Sequence, residues 1–451
     1  MKYFLTLLFL IFFTAPGSSQ IRIRSSPSPG YEERIKEYID TLRIVDTHEH
    51  LADPSLVKKS NMLDFFLLLH HYYYDDLVSS GLPDSIFNLL FNKPLKPKEK
   101  WRLIEPYWKN SFNTGFNRVA LLASKHLFGI GDINESTVDA LSANIIRAYD
   151  GNWYNHVLKE LCRIDYIIED GDYLRMKNDY IKYAKRFTSW LSVRSKHRID
   201  SLATKQVDPI FTLEDFVKSM RVTFENAVTN GMVAVKINEA YNRTLSFDNV
   251  KTDAVRKIFR GLVSGNEDHF ISQANAKPLQ DYMFRQLMDL AKEYKMPVVF
   301  HTGLQAGKGN MINNSNPTLL ANIFKEYPEI NFALFHGSYP FGGELSTLAK
   351  TYKNVYIDMN WTYAISPSYS ERYLNEWLET VPASKIMAFG GDYTNVENIY
   401  GELLIARQVI TNVLVSKVRD SYFTEAEAKT VAKMILYDNA MKFYKLPEKS
   451  D

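Results

Sequence analysis

The chain has 451 residues, 45% of them hydrophobic and 24% charged, with a formal net charge of +2 at pH 7. These are the proportions of a soluble globular protein, and the near-neutral balance argues against nucleic acid or an anionic surface as a partner. The length suits a single α/β barrel carrying insertions as well as it suits several small domains.

The N-terminus reads as an address label. Lys2 gives a short positive region, Tyr3 to Phe13 is almost wholly apolar, and Gly17 and Ser19 supply the small residues of a cleavage site before Gln20. The expectation is a signal peptide over residues 1–19 and a periplasmic or secreted protein, with no membrane contact after cleavage. No later apolar run is long enough for a membrane span. Cys162 is the single cysteine, so an internal disulfide is impossible and stability must come from the core or from bound metal. Residues 20–42 read as a Ser/Pro-rich lead-in followed by a helix, and residues 43–451 as one barrel unit.

The first strand runs from Arg43 to His50, with a short apolar centre and a polar exit. From about 53 to 162 no strand alternation appears. Helical stretches (Leu63–His71, Asp84–Phe91, Lys98–Trp108, Val138–Ala148 and Tyr154–Leu161) are punctuated by Pro94, Pro97 and Pro106. This is a helical insertion of roughly a hundred residues after strand one, placed to overhang the rim as a lid or a subunit contact, which leaves a homo-oligomer open. Strand-like runs then recur at Asp165–Glu169, Thr188–Arg194, Met232–Asn238, Pro297–His301, Asn331–His336, Asn354–Met359 and Lys385–Phe389. Amphipathic helices lie between most of them, Leu279–Lys295 being the best formed. Strand and helix alternating eight times predict a (β/α)8 TIM barrel with a long helical insertion after strand 1, its active site at the C-terminal rim. The tail Glu425–Leu446 reads as helical and is expected beneath the barrel.

Six residues at or just past strand exits carry the chemistry: His48, His50, Lys236, His301, His336 and Asp392. In a plain strand His48 and His50 point to one face and can chelate one ion. Two imidazoles with a carboxylate suit zinc, and also manganese or iron. Asp392 follows Gly390-Gly391, where the backbone can approach a site closely. It reads as a ligand and as acceptor of a proton from a metal-activated water, against the plainer alternative of a helix N-cap. His301 reads as a ligand. His336 reads either as a ligand to a second metal or as a group polarising a substrate carbonyl. Lys236 could be carbamylated and bridge two metals, or could meet a substrate carboxylate as an ammonium. One tight divalent ion, zinc favoured, is expected, with a second left open. Tyr241, Arg243, Arg198 and Tyr339 are candidate substrate contacts, with Arg194, Asn360 and Trp361 in equivalent loops. There is no P-loop and no GxSxG elbow.

The runs Asp46-Thr-His-Glu-His50, PVVFHTG, ALFHGSYP, NVYIDMN and FGGDY resemble the amidohydrolase superfamily, in particular its amidohydrolase-related branch. Lys236 with Ala240-Tyr-Asn-Arg243, the HTG after strand five, Asn316-Pro317 and Asn354–Asp358 are most similar to the amidohydrolase domain of nodulin/FluG-type proteins. The resemblance implies a divalent metal held by His48, His50, His301 and Asp392, with His336 catalytic. No glutamine-synthetase-like domain follows within these residues, and Gly-Gly-Asp stands where many members have Ser-Asp or Thr-Asp. The insertion and the phrase Phe128-Gly-Ile…Asn134-Glu-Ser-Thr137 resemble uronate isomerases. The expected function is a metal-dependent hydrolase acting on a small polar or carboxylated molecule. A decarboxylase or uronate-type isomerase on the same site is the first alternative, and a catalytically silent binding protein the second.

Overall fold

A computed structural model describes residues 28–176, 178–204, 209–266 and 270–448, so the expected signal peptide lies outside the described residues. Eight parallel strands form one sheet in sequential order: β1 (Ile44–Glu49), β2 (Ile164–Gly171), β3 (Ile181–Arg186), β4 (Met232–Ile237), β5 (Val298–Phe300), β6 (Phe332–Leu334), β7 (Val355–Asp358) and β8 (Ile386–Met387). The seam between β8 and β1 is closed by the Thr47 N–H donating to Phe389 O at 3.0 Å and the His50 N–H donating to Tyr393 O at 3.0 Å. Long helices surround the sheet, including Leu213–Thr229, Gln273–Glu293 and Val396–Arg419. Among the described residues no helix is long and apolar enough to cross a membrane.

The third strand departs from the sequence expectation. Thr188–Leu191 is a short helix, and the strand is Ile181–Arg186 instead. Thr188–Arg194 misleads because its Thr, Trp and Val residues favour strands, a preference that tertiary context readily overrides. Trp190 is buried, and its Nε1–H donates to Ser219 Oγ at 3.1 Å on the helix Leu213–Thr229. Ile181–Arg186 looks too basic for a strand, with Lys182, Lys185 and Arg186. Yet Arg186 has a partner, since β2 delivers Asp170 to it.

Between β1 and β2 lie the helices Pro54–Lys58, Tyr73–Ser79, Asp84–Asn92, Pro97–Ser111, Gly115–Phe128 and Val138–Ala148, with a 3-10 turn at Phe65–Leu68 and a π turn at His156–Leu161. Pro106 does not punctuate. It sits inside Pro97–Ser111, whose Trp101, Ile104 and Trp108 are buried along one face. That packing holds the helix through a residue that would otherwise disfavour it by about 3 kcal/mol. Gly115–Phe128 crosses Val396–Arg419 so closely that a Cβ on Gly401 would stand 2.4 Å from Val119 O. Trp153 Nε1 donates to Glu397 at 2.8 Å, and the Asn395 and Asn398 amides donate to Leu67 and Leu68 carbonyls at 3.2 and 3.1 Å. These bonds tie the insertion to the segment following β8.

The barrel interior near the strand starts is apolar. Val45, Ile168, Ala184, Ala234, Val299, Ala333 and Met387 pack with Ala440, Phe443, Tyr444 and Leu446 of the C-terminal tail. Tyr166 Oη donates to Pro447 O at 3.0 Å and Lys445 Nζ to Lys295 O at 2.6 Å, which places the tail under the N-terminal end of the barrel.

Candidate active site

The exits of β1 and β8 meet at one point. His48 Nε2 lies 3.2 Å and His50 Nε2 3.0 Å from Asp392 Oδ1. The ligand atoms of these three residues lie within 4.8 Å of one another, a group able to hold a metal ion. Gly390 and Gly391 make the approach possible. A Cβ on Gly390 would stand 2.9 Å from the His48 nitrogen and 2.8 Å from Thr47 Oγ1, and one on Gly391 would stand 2.5 Å from Glu49 Oε1. Burial alone would raise the Asp392 carboxyl, but His48 and His50 beside it hold it well below the usual carboxylate range. Burial pushes His48 down to about 4, so its ring is neutral near pH 7 and carries a lone pair.

His301 and His336 continue the cluster. His301 Nε2 lies 2.9 Å from Leu304 O and must donate to it, because a carbonyl only accepts. Its Nδ1 then accepts from His336 Nε2, 2.8 Å away. Burial lowers His301 to about 3 and His336 well below its ordinary value, so both rings are neutral. His336 Nδ1 is therefore a lone pair. It is buried with no hydrogen-bond partner and stands 3.7 Å from Asp392 Oδ2. A cation between or beside an imidazole lone pair and a carboxylate oxygen would satisfy both. The donor set thus fits a divalent ion, with His48, His50 and Asp392 as its holders.

His48, His50, His301 and Asp392 line a cavity of about 800 Å³ together with Arg175, Arg186 and Lys236, and Asp170, 4.0 Å from His48 Nε2, links the histidines to these cations. Arg186 grips Asp170 through Nε and Nη2, both at 2.7 Å. Lys236 Nζ lies 3.3 Å from Asp170 Oδ2 without hydrogen-bond geometry, and 4.1 Å over the Phe335 ring. Burial opposes the Asp170 charge, but Lys236 and Arg186 outweigh it and hold that carboxyl well below its ordinary value. Arg175 reaches Glu169 at 3.2 Å and lines the same cavity. The insertion supplies the roof. Tyr72 Oη donates to Asp392 Oδ1 at 2.8 Å, its ring packs at a tilt on Trp361 with centroids 4.4 Å apart, and His71 lines the cavity beside it.

The family pattern described as "Amidohydrolase" matches residues 226–446. Protein fluG of Emericella nidulans is 33% identical over 178 residues, which are 38% of this chain and 20% of fluG. Residues 226–446, just under half of the chain, carry the amidohydrolase family pattern. The chain spans only about a fifth of the length of this curated relative. Its barrel, insertion included, is similar to solved structures over nearly its full length. The uronate isomerase of Thermotoga maritima has 15% identity and a TM-score of 0.77, covering 92% of this chain and 97% of the other. The glucuronate isomerase of Caulobacter crescentus has 17% identity and a TM-score of 0.76, covering 94% and 97%. A protein of Lactobacillus casei described as a metal-dependent hydrolase has 19% identity and a TM-score of 0.63, covering 91% and 97%. At such identities the likeness is one of fold.

Within this amidohydrolase fold, His48, His50, Lys236, Tyr241, His301 and Asp392 all line the cavity. His301 is there, but both its ring nitrogens are taken, so it stands beside the three-residue group and not in it. His336 is fully buried behind it. Three expected substrate contacts do not arrive. Arg243 is buried against Asp281 at 2.5 Å, because the loop after β4 turns it toward the helix Gln273–Glu293. Arg198 lies exposed on the helix Lys196–Ala203, displaced with the misplaced third strand. Tyr339 packs on Tyr369, ring centroids 4.8 Å apart, and accepts the Leu304 N–H on its carbonyl at 2.7 Å. Sequence reasoning missed Asp170, Arg186, Arg175 and Tyr72. The polar exit of β2, Glu169-Asp170-Gly171, was a usable signal. Tyr72, in a run of three tyrosines within the insertion, offered none.

Proposed function

We propose that the chain is an exported, metal-dependent hydrolase of a small carboxylated substrate. The observation that carries this reading is the meeting within one cavity of a group able to hold a metal, His48, His50 and Asp392, with the cationic side chains Arg175, Arg186 and Lys236. A divalent ion, zinc by the chemistry of two imidazoles and a carboxylate, would supply Lewis-acid polarisation of a carbonyl and a lowered pKa for water. The chain's own residues do the rest. Arg175 and Lys236 meet the substrate carboxylate, and Arg186 stays fixed by its bidentate hold on Asp170. Asp392 holds the transferred proton. Tyr72, hydrogen-bonded to Asp392, orients that carboxylate and limits its contact with water. The insertion acts as a lid over the substrate.

A second reading is aldose–ketose isomerisation of a uronate on the same residues. Two observations favour it: the similarity to uronate isomerases extends through the insertion, and Tyr72 with Asp392 forms a pair able to relay a proton. Metal analysis of the purified protein, with product mass on a panel of amides, lactones and uronates, separates the two. Hydrolysis adds the mass of one water, whereas isomerisation leaves the mass unchanged. Arg175→Met is expected to raise KM for the carboxylated substrate about tenfold at unchanged kcat, the loss of one charge-assisted hydrogen bond. An unaltered KM would remove the carboxylate from the reading. Export is supported by the apolar Tyr3–Phe13 run behind Lys2, and a mature protein beginning at Gln20 in the periplasm or medium is its test.

A further inference from the structure

We infer that Glu49, the residue between the two metal-site histidines, is the positioning residue that holds Asp392 in place for metal binding. This rests on the reading that His48, His50 and Asp392 hold a divalent ion. The strand alternates, so His48 and His50 present their rings to the cavity while Glu49 leaves β1 on the other side. Its carboxylate is fully buried and ends on the loop after β8. Oε1 accepts the Gly391 N–H at 2.8 Å, and Oε2 accepts the Tyr393 N–H at 2.7 Å. These are the amides on either side of Asp392.

Asp392 itself has φ 60°, in the left-handed region, which costs a non-glycine residue about 1–3 kcal/mol unless the surroundings over-determine it. Successive N–H groups around such a residue form a concavity that binds an anion. Here the acceptor oxygens are built into the ligand strand, on Glu49. The Asp392 N–H donates to His48 O at 2.9 Å and the His50 N–H to Tyr393 O at 3.0 Å. Four hydrogen bonds therefore stitch the loop bearing the third ligand to the strand bearing the first two, and Glu49 supplies two of them. Gly391 belongs to the same device, since a Cβ there would press on Glu49 Oε1 at 2.5 Å. The strand and loop that present the ligands thereby set the distance between them.

The test is binding of cobalt(II) alone to the full-length protein after chelator treatment, read by affinity and by the visible absorption of the bound ion, with circular dichroism to verify folding. Glu49→Gln keeps one of the two acceptors and is expected to weaken cobalt binding about tenfold to a hundredfold and to shift the absorption bands. Gly391→Ala displaces the carboxylate from the other side and is expected to do the same. The double variant should be no worse than the poorer single one, because both act on one clamp. Glu49→Gln or Gly391→Ala with wild-type affinity and spectrum overturns the positioning role while leaving the metal site intact. Additive losses in the double variant overturn the shared clamp. Wild-type protein that takes up no cobalt removes the metal-site reading, and the inference falls with it.

Discussion

The two ends of the same barrel differ in kind. Near the strand starts the interior carries Ile168, Ala184, Ala234 and Val299, packed on the C-terminal tail. Two residues further along the same four strands stand Asp170, Arg186, Lys236 and His301, all lining the cavity. A step of two keeps a side chain on the same face, so the inward rows change from apolar to ionisable within one layer. Phe335 is the partition: its ring lies 4.8 Å from the His48 ring, with Lys236 Nζ 4.1 Å above it. The apolar layer stabilises by burial and shape. The ionisable layer is sustained only by mutual pairing, because unpaired charge at that depth costs several kcal/mol. The rim should therefore lose activity when changed, and the floor should lose stability.

The largest test is Asp392→Asn. Turnover is expected to fall about 10²–10⁴-fold, the range for removing a general base, with bound metal lost and the melting temperature unchanged or higher. A variant that melts far lower with near-native turnover per folded molecule would break the comparison. Next is the floor. Phe443→Ala should cost about 3–5 kcal/mol in denaturant unfolding, with kcat/KM unchanged well below the transition. A matching loss of kcat/KM would show that the two layers are coupled.

Glu397 sharpens the rule, being a buried acid at the rim end without a place in the cavity. Burial raises its carboxyl to about 7, against donation from Trp153. A raised acid binds more protons folded than unfolded, so its contribution is most favourable below about pH 4.5 and is lost as pH rises to about 7. Glu397→Gln carries no ionisation cost. It should match wild type near pH 4.5 and exceed it by about 3 kcal/mol at pH 7 and slightly more above it, at about 1.4 kcal/mol per pKa unit. Unfolding curves at the two pH values check this, and a difference independent of pH would exclude ionisation as its cause. The smallest expected effect is Tyr72→Phe. Losing one hydrogen bond to a charged group should lower kcat about tenfold while bound metal is retained. Lost metal would make Tyr72 part of the holding group.

Much of this was open to inspection in the chain itself. His48, His50 and Asp392 each follow an apolar run, and their order along the chain matches the order in which a parallel barrel brings strand exits to one rim. The Gly-Gly step before Asp392 signalled close approach, and the distances to Thr47, His48 and Glu49 give that approach its value. Long amphipathic elements were equally legible because periodicity is local. The third strand was not, since Ile181–Arg186 is too basic to look buried until Asp170 is set against Arg186.

Local pattern thus determined the barrel, the insertion and the residue types of the metal-holding group, because period-two and period-3.6 burial and strand-exit chemistry are written in neighbouring residues. Tertiary structure alone decided which charges face one another. It sent Arg243 to Asp281, brought Tyr72 from the insertion onto Asp392, occupied both nitrogens of His301, and turned Glu49 from a spacer between histidines into a clamp on a loop more than three hundred residues away. The physical reason is that a buried polar atom must find its partner in space, and the partner's position is set by the closure of the whole sheet.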